Sequence, residues 1–135
     1  MGSDIHLHIE MKVDGKWEHY GCPKVDRDYR LFEKMAGVRG NIENAIHEPK
    51  GLPKDISILT ELDYNGYESY WHSASWLDIK EVKELRQWLD SRGGYMNGYD
   101  LEHNILKTYL FSNSLTCLDE FDSIEDMRLV FWFDN

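Results

Sequence analysis

The chain has 135 residues, with 25 Asp and Glu against 15 Lys and Arg, a formal charge of −10, 41% hydrophobic and 30% charged residues. That is one globular domain's worth of sequence, long enough to bury a core. The acid excess excludes a footprint for duplex nucleic acid or an anionic membrane, since both need a positive surface.

Residues 4–13, DIHLHIEMKV, alternate strictly: Asp4, His6, His8 and Glu10 on one side, Ile5, Leu7, Ile9 and Met11 on the other. Period two with one apolar side predicts a strand with one buried face. Asp14-Gly15 is a strong hairpin signal, and KWEHYG continues as the second strand over 16–21. Cys22-Pro23 ends it, because Pro cannot donate to the ladder.

DRDYRLFEKMAG predicts a short helix, with Asp26 or Asp28 as its cap, a stripe of Tyr29, Phe32 and Met35/Ala36, and Gly37 as its stop. Residues 37–56 mix Gly and Pro with polar residues and predict a long ordered loop, a frequent place for function. Residues 57–77 are rich in aromatics with a turn signal at Asn65-Gly66, and supply at most one further strand.

After them, Asp78 with Glu81 forms a capping box. Ile79, Val82, Leu85 and Leu89 make an apolar stripe, and Gly93-Gly94 a stop. A third helix is expected from Asp100, with Leu101, Ile105 and Thr108/Tyr109 on one face. The closing MRLVFWF is apolar on both faces and predicts a central strand over 127–133, beside residues 4–11. The expected fold is α+β: a small, mainly antiparallel sheet of the N-terminal hairpin and the central C-terminal strand, with two or three helices covering one face.

No apolar run reaches the roughly 20 residues of a membrane span, and MGSDIHLHIE lacks the basic and apolar regions of a signal peptide. A cytoplasmic protein is therefore expected, with Cys22 and Cys117 as free thiols. With no CxxC pair, a zinc ribbon is excluded on ligand count.

Three sets of residues could carry chemistry. His6 and His8, at i and i+2 of a strand, point the same way about 6–7 Å apart. They are candidate acid–base residues and the candidate ligands of a divalent metal such as zinc. A solvated outer face is the plainer reading of the same pattern, but a closing strand buried on both sides would partly cover these rings. In SYWHSASW, His72 is a third candidate catalytic residue, and Trp71 and Trp76 are candidate stacking residues for a ligand ring. There is no nucleophile elbow here, and the aromatics would serve equally as core. Arg27, Arg30, Arg39, Lys50 and Lys54 cluster around the long loop. Arg39, between Gly37 and Gly40, and Lys50 are candidate ligand-binding residues, suited to a nucleotide-like anion more than to a long nucleic acid.

As a set, DIHLHIE, DRDYRLFEKMAGVR, EPKGLPKDIS, HSASWL and RLVFWFDN resemble a family of small phage and prophage proteins whose members begin MGCDIH, and the likeness covers nearly the whole chain. The resemblance implies a phage setting, in the host cytoplasm, and no particular reaction. The family pattern has Cys at position 3, where this chain has Ser3. If the family used that cysteine as a nucleophile or metal ligand, this chain would lack it.

Two functions are therefore expected. The first is a phage-type accessory protein with a small-ligand pocket at a His-rich site, binding or processing a nucleotide-like anion. The second is an acidic protein that binds and inhibits a host enzyme as a nucleic-acid mimic (counter-defence), with Asp119, Glu120, Asp122, Glu125 and Asp126 as its densest acidic run.

Overall fold

The computed structural model describes residues 2–91 and 126–134. Four strands, β1 (Ile5–Val13), β2 (Lys16–Gly21), β3 (His72–Leu77) and β4 (Asp126–Phe133), form one antiparallel sheet in the order β2-β1-β4-β3. Among the described residues three helices accompany it, α1 (Tyr29–Ala36), α2 (Ile58–Gly66) and α3 (Ile79–Ser91). The α+β architecture stands as expected, with β4 inside the sheet and beside β1. Ile5 pairs with Phe133, Leu7 with Phe131 and Ile9 with Leu129.

Local chemistry accounts for the element ends. Asp14 (φ 52°) and Gly15 (φ 74°) both take positive φ, the two-residue turn whose twist matches that of the strands. Asp28 caps α1 by accepting the Leu31 N–H at 3.2 Å, and Gly37 closes it at φ 75°. Asp78 and Glu81 realise the capping box reciprocally. Each carboxylate accepts the other residue's backbone N–H, at 2.9 and 3.0 Å.

The sheet has two differently used faces. Ile5, Leu7, Ile9 and Met11 of β1 join Met127, Leu129, Phe131 and Phe133 of β4. Leu31, Phe32 and Met35 of α1 and Val82, Leu85 and Leu89 of α3 close over them as the core. The other face carries His6, His8 and Glu10 with Arg128, Val130 and Trp132, their register partners on β4. It is covered as well, by α2, whose Thr60 and Tyr64 pack onto it. The helices thus lie on both faces and not on one. The reason is that Arg128 and Glu10 anchor the 55–60 segment from below.

Residues 57–77 resolve into α2, a 3-10 turn at Glu68–Tyr70, and β3. Asn65-Gly66 ends a helix and does not make a hairpin. The 37–56 loop is irregular apart from a 3-10 turn at Ile42–Asn44. Backbone N–H bonds pin it, from Ile46 to Lys34 and from Gly51 to Ala74. The expected helix from Asp100, the Gly93-Gly94 stop, Cys117 and the acidic run up to Glu125 lie outside the described residues.

Candidate functional site

The polar face of β1 is a row of partnered groups. His6 Nε2 lies 2.9 Å from Asp134 Oδ2, and Asp134 Oδ1 accepts the Asp4 N–H at 3.1 Å. The residue following β4 thus reaches the histidine row, as the predicted strand pairing requires. His8 is more deeply placed, at 3% exposure. Its Nε2 lies 2.9 Å from Asp63 Oδ2 of α2, and its Nδ1 lies 3.0 Å from His19 Nε2 of β2. Indole and phenol rings pack around the row: Trp132 stacks on His8 at 4.9 Å, Trp71 packs against His6 at 4.4 Å with the planes tilted by 51°, and Tyr64 meets Trp132 edge-on at 5.0 Å.

Asp63, His8 and His19 therefore form a chain from a 55% exposed carboxylate, through a buried imidazole, to a half-buried one. A carboxylate can only accept, so Asp63 fixes the His8 proton on Nε2 and leaves Nδ1 as acceptor for the His19 Nε2–H. His19 Nδ1 is then the nitrogen left to exchange a proton with a ligand. Burial, above all, holds His8 below the ordinary imidazole range. Asp63 pulls upward against it, the neighbouring His19 pushes down and Glu10 pulls up. His8 is accordingly neutral at neutral pH. A group whose folded pKa is depressed contributes stability above its unfolded value, near 6.5 here, and loses it as pH falls. The melting temperature of the chain is expected to drop on going from about pH 7.5 to about pH 5.5, and to drop less in His8→Leu. Circular-dichroism melts across that range check it, and an equal pH dependence in both proteins would remove His8 as the cause.

Two clefts flank the chain. The larger, about 770 Å³, is lined by Asp4, Asp26, Asp63 and Asp134 against Lys24 and Arg27, with His6, His8 and Cys22. Arg27 is already bound to Asp4 through two bonds of 2.7 and 3.1 Å, so this cleft is acidic. Burial, then the Asp63 charge, pushes the Cys22 thiol up. It stays protonated, and a thiol in that state is no nucleophile. The smaller cleft, about 510 Å³, presents His19, Lys12, Lys16 and Trp17 with Glu18 and Asp55. Asp55 is paired with Arg128 at 2.8 Å, so this cleft, with Lys12 and Lys16 against Glu18 and Asp55, is balanced in charge where the larger one is acidic.

The other predicted residues are dispersed. Arg39 sits in the left-handed region (φ 60°), donates from Nε to Ser3 Oγ at 3.0 Å and lies over the Tyr29 ring. It lines neither cleft. Ser3 is buried under these two residues, off the histidine row. Lys50 stacks on Trp76 at 4.0 Å and pairs with Glu81 at 2.5 Å, a joint between the loop, β3 and α3. His72 is exposed at the sheet edge against Phe133, bonded to Ser73 Oγ at 3.0 Å, and faces away from His6 and His8. Of the predicted residues, then, His6, His8 and Trp71 come together.

As for a metal, the Nε2 atoms of His6 and His8 go to separate carboxylates. A divalent ion would have to draw on Asp134 and Asp63 and break both pairs. Among the described residues no group of three or more His, Cys, Asp or Glu is arranged to hold one.

His19 and Asp63 were not predicted. His19 was within reach: a two-residue turn at 14–15 sets Lys12 opposite Trp17 and Glu10 opposite His19, which places His19 on the His8 side of the sheet. Asp63 depends on where α2 docks, and no local signal carries that. Comparison of the chain with protein-family models, with curated proteins and with solved structures finds no match.

Proposed function

We propose that the chain is a phage-type accessory protein that binds a compact, nucleotide-like anion in the Lys12/Trp17/His19 cleft and moves a proton there through His19 and His8. The observation that carries this reading is the Asp63–His8–His19 chain. A base held by a second group, which is itself oriented by a carboxylate, is the arrangement general-base chemistry needs. When His19 Nδ1 takes a proton from the ligand, its Nε2 proton can pass to His8 Nδ1, so charge spreads over the pair beside Asp63. Charge decides the cleft: the larger one has a carboxylate excess that opposes an anion, whereas in the smaller Lys12 and Lys16 balance Glu18 and Asp55, and Trp17, with the Arg128 guanidinium 3.9 Å over its ring, offers an edge to a flat ligand ring.

The test is an imidazole nitrogen NMR titration of the full chain with AMP and with inorganic phosphate. Both His19 and His8 resonances are expected to move along one binding curve with AMP, with a Kd near or below about 1 mM. His19→Ala should abolish the movement of His8, and Asp63→Asn should weaken AMP binding by less than about tenfold while uncoupling the two rings. His resonances that stay still under both probes would overturn the reading.

A second reading, a protein that binds and inhibits a host enzyme, is favoured by a separate observation. Helix α2 leaves Ile58, Leu59 and Leu62 exposed beside Glu61, and contiguous exposed apolar side chains mark contact surfaces. Loss of capture of a host protein by Leu62→Asp, a residue outside the His19 cleft, with AMP binding intact, would select it.

A further inference from the structure

Apart from the His19 cleft, a shallow pocket of about 490 Å³ is lined by Tyr67, Ser69, Tyr70, Trp71 and Asp134. Tyr67 precedes and Tyr70 ends the 3-10 turn after α2, with ring centroids 6.4 Å apart and planes inclined at 51°. They remain 66% and 70% exposed, so two large rings stand side by side in water with no packing role that would explain them. The third ring is held rigidly. Trp71 donates from Nε1 to the Tyr64 carbonyl at 2.9 Å and packs on His6. The carboxylate is held too, since Asp134 is tied to the Asp4 N–H and to His6 but keeps its side chain 30% exposed.

Three aromatic rings and one carboxylate, with no Lys or Arg in the lining among the described residues, discriminate sharply among ligands. An anion meets a carboxylate and the negative faces of the rings. A hard metal ion finds one carboxylate where it needs a cage of oxygens. A bulky, weakly hydrated cation finds what it requires, ring faces for its methyl groups and a counter-charge beside them. Glu68, exposed on the same turn, adds a further negative charge. Arg27, whose guanidinium feels the Asp134 charge, is committed to Asp4.

We propose that this pocket binds a small organic cation bearing a quaternary ammonium group. The formal charge of −10 raises the local concentration of such a ligand around the protein. The site is independent of the proton-transfer chain, sharing with it neither His19 nor Asp63, so either reading can fail alone.

The experiment titrates the full chain with choline and, separately, with 3,3-dimethylbutanol, which has the same shape and no charge, following the Trp71 indole N–H resonance. Choline is expected to shift that resonance saturably, and the neutral isostere to bind at least about tenfold more weakly. Tyr67→Leu and Tyr70→Leu remove exposed rings, so their melts should match the parent. Each should weaken choline roughly 5- to 30-fold, while Tyr70→Phe keeps it within about threefold. His19→Ala should bind choline like the parent. Equal binding of choline and its neutral isostere, an unmoved Trp71 resonance, or full choline affinity in both leucine variants would overturn the proposal.

Discussion

A chain lacking residues 128–135 is expected to show no cooperative melt at any temperature. The segment carries Leu129, Val130, Phe131, Trp132 and Phe133, all fully buried. Large apolar side chains are worth roughly 1.5–3 kcal/mol each on burial, so the five together account for about 8–15 kcal/mol, which is the whole stability of an ordinary domain. Topology adds to the loss. β4 lies between β1 and β3, and β3 pairs with no other strand in the described sheet. Removing β4 therefore frees two ladders and uncovers both the core face and the histidine face. Calorimetry checks this directly. A truncated chain that keeps a sharp heat-absorption peak would show that the hairpin and helices hold a core without β4.

The second large effect is expected at Glu10 and Arg128, which are 0% and 4% exposed. Arg128 Nε lies 2.7 Å from Glu10 Oε1, and its Nη1 lies 2.8 Å from Asp55 Oδ1. Glu10 Oε2 takes the Ser57 N–H at 2.9 Å and the Ser57 hydroxyl at 2.5 Å. Removing Arg128 leaves the buried Glu10 carboxylate with no cation, and removing Glu10 leaves the buried Arg128 with only the 67% exposed Asp55 as its carboxylate partner. Arg128→Leu and Glu10→Leu should each cost about 3–5 kcal/mol, and the double variant should recover part of that because no charge is then stranded. Burial by itself would raise the Glu10 pKa. The Ser57, Thr60 and Arg128 hydrogen bonds outweigh it and hold the carboxyl below its usual 4.5. Its contribution is thus present above about pH 4.5 and lost as pH falls further. Urea midpoints at neutral and acid pH measure both claims. Single variants within about 1 kcal/mol of the parent, or a double variant less stable than either single one, would contradict them.

Much of this was legible because it is local. The alternation of β1, the Asp14-Gly15 turn, the Asp28 and Asp78 caps and the two-sided apolar run of β4 each follow from the period or chemistry of a few adjacent residues. The sheet pairing of β1 with β4 was legible as well, since a strand apolar on both faces must be interior and the other long strand had matching length. What escaped was α2. Its exposed side carries Ile58, Leu59 and Leu62 while its buried contacts run through Thr60 and Tyr64, so its apolar residues do not mark the docked face. Without that placement Asp63 cannot be assigned to His8. Arg39, Lys50 and His72 lie apart from the histidine row for the opposite reason. Each has the composition of a ligand site, but a neighbour across the fold (Ser3 and Tyr29, Glu81 and Trp76, Phe133) claims it.

The interior position of β4 also dictates when the molecule can become itself. His6 and Asp134 are 128 residues apart along the chain, and every rung of the β1–β4 ladder spans more than a hundred. Contacts of such separation are the slowest to close, because loop entropy is lost before any burial is gained. The hairpin therefore waits through synthesis with its β4-facing edge unpaired, an edge that invites other strands. His6 gains its carboxylate partner, Asp134, only once β4 is in place, whereas His8 has Asp63 of α2. The His6–Asp134 pair and the packing of Trp132 on His8 are thus made only when β4 docks, after Asp63, His8 and His19 are already on the chain.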